Sequence, residues 1–121
     1  MLKNILFVGI GGFFGSSLRY IISKFLNSSF PYGTLFVNAL GSFILGFIAY
    51  KFIRSTNIPQ EYILLVTTGF IGAFTTFSTY MLESHIFLAG DKLFLRILNI
   101  SVNLILGLVL VHIGYQLAKS I

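Results

Sequence analysis

This chain of 121 residues has no cysteine, only three acidic residues and only two prolines. The lack of cysteine excludes disulfides, thiolate chemistry and Cys-ligated metals. With three acids and two histidines, and no nucleophile–base constellation, the sequence does not read as an enzyme. His85 and His112 fall on different segments with no third ligand clustered near either, so a His-based metal site is not indicated. Charge is scarce altogether: 9% of residues, where a soluble domain carries roughly a quarter. Such a chain cannot dress a water-facing surface.

What it has instead is apolar length. Residues are 56% hydrophobic and the mean hydropathy is +0.94. Four windows, 4–18, 25–50, 62–82 and 97–118, contain no Lys, Arg, Asp or Glu. A helix needs about 20 mostly apolar residues to cross a bilayer. The last three windows meet that length, and the first does so if Arg19 snorkels to an interface. No small-residue cleavage site follows the first apolar run, which reads as a retained helix and not as a signal peptide. The expectation is an all-α, multi-pass membrane protein with helices over about 2–26, 33–54, 61–89 and 93–119. The third is interrupted near 72–79. The turns around Pro31, Pro59 and Gly90-Asp91 are short, which points to a single domain over residues 1–121.

The net charge of +5 invites a nucleic-acid reading, but the basic residues are scattered along predicted membrane edges, where an interfacial role suffices. With four spans, Lys3, Lys51, Arg54 and Lys119 lie on one side and Arg19, Lys24, Lys92 and Arg96 on the other. The positive-inside rule orients a chain by an excess on one side, and the tally is even. Two readings stand: a weak bias blurred by helix boundaries, or dual topology with oppositely inserted copies pairing antiparallel.

Glycines at 9, 11, 12 and 15 superficially resemble a dinucleotide-binding turn. That motif needs an acid about 20 positions on, within a βαβ unit, and the first acid here is Glu61. Close helix packing is the better reading, with glycines at 9, 12 and 15 and the 11/15 pair at GxxxG spacing.

Chemistry concentrates in Gly69-Phe-Ile-Gly-Ala-Phe-Thr-Thr-Phe-Ser-Thr-Tyr80. Five of these twelve residues carry hydroxyls and two are glycine, a poor recipe for continuous helix. Irregular backbone at bilayer depth persists only where protein buries it or a polar cavity borders it, so the stretch marks an ion or transport site. Freed carbonyls there suit cations, whereas freed N–H groups and hydroxyls suit anions. Phe77 and Tyr80, three apart, project to one side, either as a core pair or with positive ring edges toward an anion. Thr34, Asn38 and Ser42 share one helix face. A mid-span Asn38 serves either inter-helix hydrogen bonding or an ion path. Asn99 and Asn103 repeat that i, i+4 pattern on the last helix. Glu83 closes the third helix, at a vestibule or at the interface.

Three blocks resemble the Fluc (CrcB) fluoride channels. They are Gly11-Gly-Phe-Phe-Gly-Ser-Ser-Leu-Arg19-Tyr, Tyr32-Gly-Thr-Leu-Phe-Val-Asn38-Ala-Leu-Gly-Ser-Phe-Ile-Leu-Gly46, and Gly69 through Glu83. The resemblance covers nearly the whole chain. It implies passive fluoride export across the plasma membrane, protection from fluoride toxicity, and an antiparallel homodimer in lipid with a central structural Na+ ion. By motif position it implies that Asn38 is the pore-lining amide that contacts fluoride and that Phe77 and Tyr80 are the ring residues of the ion path. Family members usually have phenylalanine where Tyr80 stands. It further implies that Gly72 and Thr75 offer backbone carbonyls to sodium. Ser78, Thr79, Glu83 and Asn103 would border the polar route, and Arg19 a vestibule. Two alternatives are a small dual-topology multidrug exporter and a non-transporting membrane subunit. Such exporters rely on a glutamate in the first helix, and residues 1–26 contain no acid.

Overall fold

The computed structural model describes every residue except Thr56, and for Leu88 and Ala89 the backbone alone. It is helical throughout: α1 (Leu2–Leu26), α2 (Tyr32–Arg54), α3 (Gln60–Leu64), a π-helical segment (Leu65–Ile71), α4 (Gly72–Phe74), α5 (Ser78–Ala89) and α6 (Leu93–Ser120). Among the described residues, four helical stretches, the third running Gln60–Phe87 through the break, are long and apolar enough to cross a membrane. The turn expected at 55–59 includes Thr56, which lies outside the described residues.

α2 packs chiefly on α6, while α1 packs on the π segment and α4. Glycine explains how the backbones come so close. A Cβ on Gly46 would strike the Val111 carbonyl, and one on Gly114 the Phe43 carbonyl. Gly11 and Gly15 stand in the same relation to the carbonyls of Leu65 and Phe70. Small residues substitute here for a hydrophobic driving force, which is absent between helices in lipid. Of the glycines expected to pack, the 11/15 pair makes the close contact. Gly9 faces open space and Gly12 has only distant neighbours, so 11 and 15 form the contact.

Little of the apolar surface is covered by the chain itself: only 11% of the most apolar window of α1 is buried. Leu6, Ile10, Phe13 and Phe14 stand exposed along α1, a surface suited to hydrocarbon. At the span ends, Lys3 pairs with Glu61, Lys24 lies over the Tyr20 ring and Arg54 over Tyr50. Long basic side chains at span ends suit a bilayer interface.

The third span breaks over 75–77, a narrower interruption than 72–79. Thr75 turns extended (ψ 159°), and α5 then restarts at Ser78. Ahead of the break, the π segment widens the helix where it meets the α1 glycines, an irregularity common near functional sites.

Candidate ion site at the break of the third span

The break is held from outside by one side chain. The Thr76 N–H, which a continuous helix would direct to Gly72, donates instead to Asn38 Oδ1 at 2.8 Å. The Asn38 amide returns the contact, donating from Nδ2 to the Thr76 carbonyl at 3.0 Å. Both main-chain groups of a buried residue are thereby satisfied in a segment with no helical ladder. The Thr76 side chain finishes the turn: its Oγ1 accepts the Thr79 N–H at 3.2 Å, satisfying a main-chain donor in the first turn of α5.

These contacts also fix how each amide is oriented. An N–H can only donate, so Oδ1 of Asn38 must face Thr76. Nδ2 then reaches Asn103 Oδ1 at 3.0 Å, and Asn103 Nδ2 donates to the Asn99 carbonyl and Oδ1. Asn99 passes the direction to Ser84 Oγ at 2.9 Å, and Ser84 donates to the Tyr80 carbonyl at 2.8 Å. Asn99 is fully buried and Ser84 nearly so. A satisfied network of this kind locks α2, α5 and α6 together around the break.

Beside the break lies a cleft of about 250 Å³ bordered by Asn38, Ser42, Thr75, Thr76, Phe77, Tyr80 and Asn103. Among the described residues, no charged side chain borders it. Phe77 and Tyr80 meet edge-on, with ring centroids 5.4 Å apart at 77°. Their surroundings differ sharply: Phe77 is 68% exposed and Tyr80 only 3%.

The other expected residues are distributed around this centre. Thr79 touches Thr76 but does not border the cleft, and Ser78 is exposed. Glu83 lies farther along α5, where its Oε1 accepts Thr34 Oγ1 at 2.7 Å and Asn27 Nδ2 at 3.4 Å. Its Oε2 is buried without a partner among the described residues. Asn27 also caps α2, accepting the N–H of Gly33 at 2.8 Å and of Thr34 at 3.3 Å. Arg19, on α1, does not border the cleft and makes no ion pair among the described residues.

Gly72 and Thr75 were expected to offer carbonyl oxygens to a cation. The break releases both: Thr76 N–H goes to Asn38 rather than Gly72, and Thr79 N–H goes to Thr76 Oγ1 rather than Thr75. Neutral oxygens of this type fit the ligand chemistry of sodium. One chain supplies only part of such a shell.

Sequence reasoning gave no site role to Asn27 or Ser84, placed Thr34 only by its helix face, and did not separate Thr76 from its hydroxyl neighbours. Thr76 was detectable as a hydroxyl just ahead of an apolar helical run. Asn27, more than fifty residues from Glu83 in the chain, carried no comparable signal.

The family model for CrcB-like protein, Camphor Resistance (CrcB), matches residues 6–115. The chain belongs to the CrcB family. A protein of Methanocaldococcus jannaschii named fluoride-specific ion channel FluC is 45% identical over 123 residues, covering 100% of this chain and 98% of its own length. A protein of the same name from Campylobacter lari is 44% identical over 124 residues, covering 98% of this chain and all of its own. A third, from Thermosipho africanus, reaches 53% identity over a shorter stretch, 64% of this chain and 66% of its own length. Membership of the CrcB family accords with the four spans and with a break that carries main-chain groups at membrane depth.

Proposed function

We propose that this CrcB-family protein is a fluoride channel that lets the ion leave the cell passively across the plasma membrane, protecting it from fluoride toxicity. The observation that carries this reading is the mid-span break, clamped by Asn38 at Thr76 and bordered by a cleft with no charged side chain among the described residues. Relatives along the whole chain bear the name of a fluoride-specific ion channel, which favours this reading over an exporter or a non-transporting subunit.

The physics follows from the ion. Fluoride is small and strongly hydrated, so a pathway must replace water with hydrogen-bond donors without a fixed charge that would hold it too tightly. Hydroxyls, amides and the positive edges of Phe77 and Tyr80 are donors of that kind. No energy-coupling motif is required, because an interior-negative membrane drives the anion out with about 2.3 kcal/mol per 100 mV. Asn103, Thr79, Ser78 and Glu83 extend the polar route from the break along α5 and α6, and Arg19 serves a vestibule.

The functional unit in this proposal is an antiparallel homodimer of oppositely inserted copies, each one channel-forming domain over residues 1–121. The even charge tally supports it, as do the exposed apolar helices and the half-built oxygen shell at Gly72 and Thr75. A second copy would complete that shell around a structural sodium ion, which supplies positive charge that ties the two breaks together.

Electrode-monitored efflux from liposomes containing only this polypeptide tests the reading. Fluoride leaves and chloride stays if it is correct. Vesicles that retain both ions refute it.

A further inference from the structure

The loop between α1 and α2 is docked on α5 at two points. Phe30 is buried, and its ring stacks on the buried Phe87 with centroids 6.0 Å apart at 18°. Four residues earlier on the same face of α5, Glu83 accepts a hydrogen bond from Asn27 Nδ2 at 3.4 Å. The loop backbone is held as well. The Asn27 N–H donates to the Ser23 carbonyl and the Tyr32 N–H to the Phe30 carbonyl, both at 2.9 Å.

Asn27 is therefore the residue at which α1, α2 and α5 meet. Its side-chain oxygen accepts the main-chain N–H groups of Gly33 and Thr34. An N–H can only donate, so these contacts fix the carboxamide and turn Nδ2 to Glu83. Gly33 makes room for this arrangement: a Cβ there would lie 2.8 Å from Asn27 Oδ1 and 2.7 Å from the Ser23 Cα. The Thr34 hydroxyl donates to the same carboxylate oxygen. Both donors thus converge on Oε1, while Oε2 is buried with no partner among the described residues. Buried polar atoms are ordinarily paired, so a carboxylate satisfied at one oxygen alone is held for its position rather than for stability.

We propose that Asn27 is a positioning residue for Glu83, tying the carboxylate to the start of α2 and keeping its charge from swinging into the path of the anion. The inference rests on the fluoride-channel reading, in which Glu83 lies along the polar route. Two donors on one oxygen hold the carboxylate still and disperse its charge. Without the Asn27 amide, Thr34 alone restrains it, and a mobile negative charge beside the route opposes an approaching anion.

The test uses the full-length protein, with initial fluoride efflux from liposomes measured by electrode and thermal midpoints taken in detergent. Asn27→Asp retains an oxygen for the Gly33 and Thr34 N–H groups, since Asp caps a helix as well as Asn, but offers Glu83 no donor. Efflux should fall roughly tenfold, the scale of one hydrogen bond to a charged group, with the midpoint close to wild type. Asn27→Ala loses both contacts and should lower both readouts. Ser28→Asp puts the same charge at the next, exposed position of the loop and should conduct like wild type. Wild-type efflux in Asn27→Asp overturns the inference. So does an equal loss in Ser28→Asp, which assigns the effect to loop charge. A midpoint in Asn27→Asp as low as in Asn27→Ala assigns the effect to folding and overturns it too. Wild-type vesicles that keep their fluoride overturn the channel reading instead.

Discussion

Asn38 and Thr76, thirty-eight residues apart in the chain, are joined by two hydrogen bonds of 2.8 and 3.0 Å through both main-chain groups of Thr76. A side chain on one helix thus performs for the break what the next helical turn would otherwise do. This makes Asn38 the strut on which the cleft depends.

Asn38→Leu should therefore do more than remove a polar group. It leaves Thr76 N–H and C=O unpaired, a loss of about 1–3 kcal/mol for each buried group. We expect fluoride efflux to fall to background and the thermal midpoint in detergent to drop. Wild-type efflux in this variant would refute the strut.

The glycines make a paired prediction. Gly15→Ala and Gly114→Ala each drive a methyl into a backbone carbonyl of the facing helix, so both should lower the yield of monodisperse protein. Gly9→Ala meets nothing within 4 Å and should leave yield and midpoint unchanged or slightly improved, since alanine favours helix over glycine by about 1 kcal/mol. Size-exclusion profiles of the three variants distinguish these outcomes.

Thr34 offers a conservative probe of the Glu83 end of α5. Thr34→Val keeps the shape but removes the hydroxyl that donates to Glu83 Oε1 at 2.7 Å, leaving a buried carboxylate with weaker support. Efflux should fall in Thr34→Val and persist in Thr34→Ser, as liposome flux assays will report.

Removal of sodium tests the carbonyls of Gly72 and Thr75. Protein purified and assayed in N-methylglucamine should lose dimer stability and flux, and both should return when sodium is restored. Equal midpoints in the two media would refute a structural cation.

Topology is accessible because the chain has no cysteine of its own. Ser120→Cys, at an exposed position on the last turn of α6, should react with impermeant thiol reagents from both faces of the membrane, in roughly equal amounts. Labelling from one face alone would exclude oppositely inserted copies.

Much of this architecture was legible in the linear chain. Charge-free windows located the spans, because hydrocarbon tolerates no unpaired ion or main-chain group and so writes itself into composition over twenty residues. The hydroxyl-rich run located the break, since Thr75-Thr76 following Gly72 weakens the helix locally. The i, i+4 pairs Thr34/Asn38/Ser42 and Asn99/Asn103 correctly placed polar side chains on shared faces. The glycine cluster was read as a packing surface that included the 11/15 pair, but helix geometry allows several spacings, and only the facing helix selects Gly11 and Gly15 over Gly9 and Gly12.

The sequence by itself determined that the protein is built for a bilayer, where its four crossings fall and which crossing is interrupted, since each of these depends on neighbours close along the chain. Only the tertiary structure decided how the polar groups pair across helices. From the sequence Asn38 stood for inter-helix hydrogen bonding or for an ion path, and it is Thr76 and Asn103, from two other segments, that its amide meets. Hydrogen-bond partnership across helices depends on three-dimensional proximity, and no local pattern encodes it.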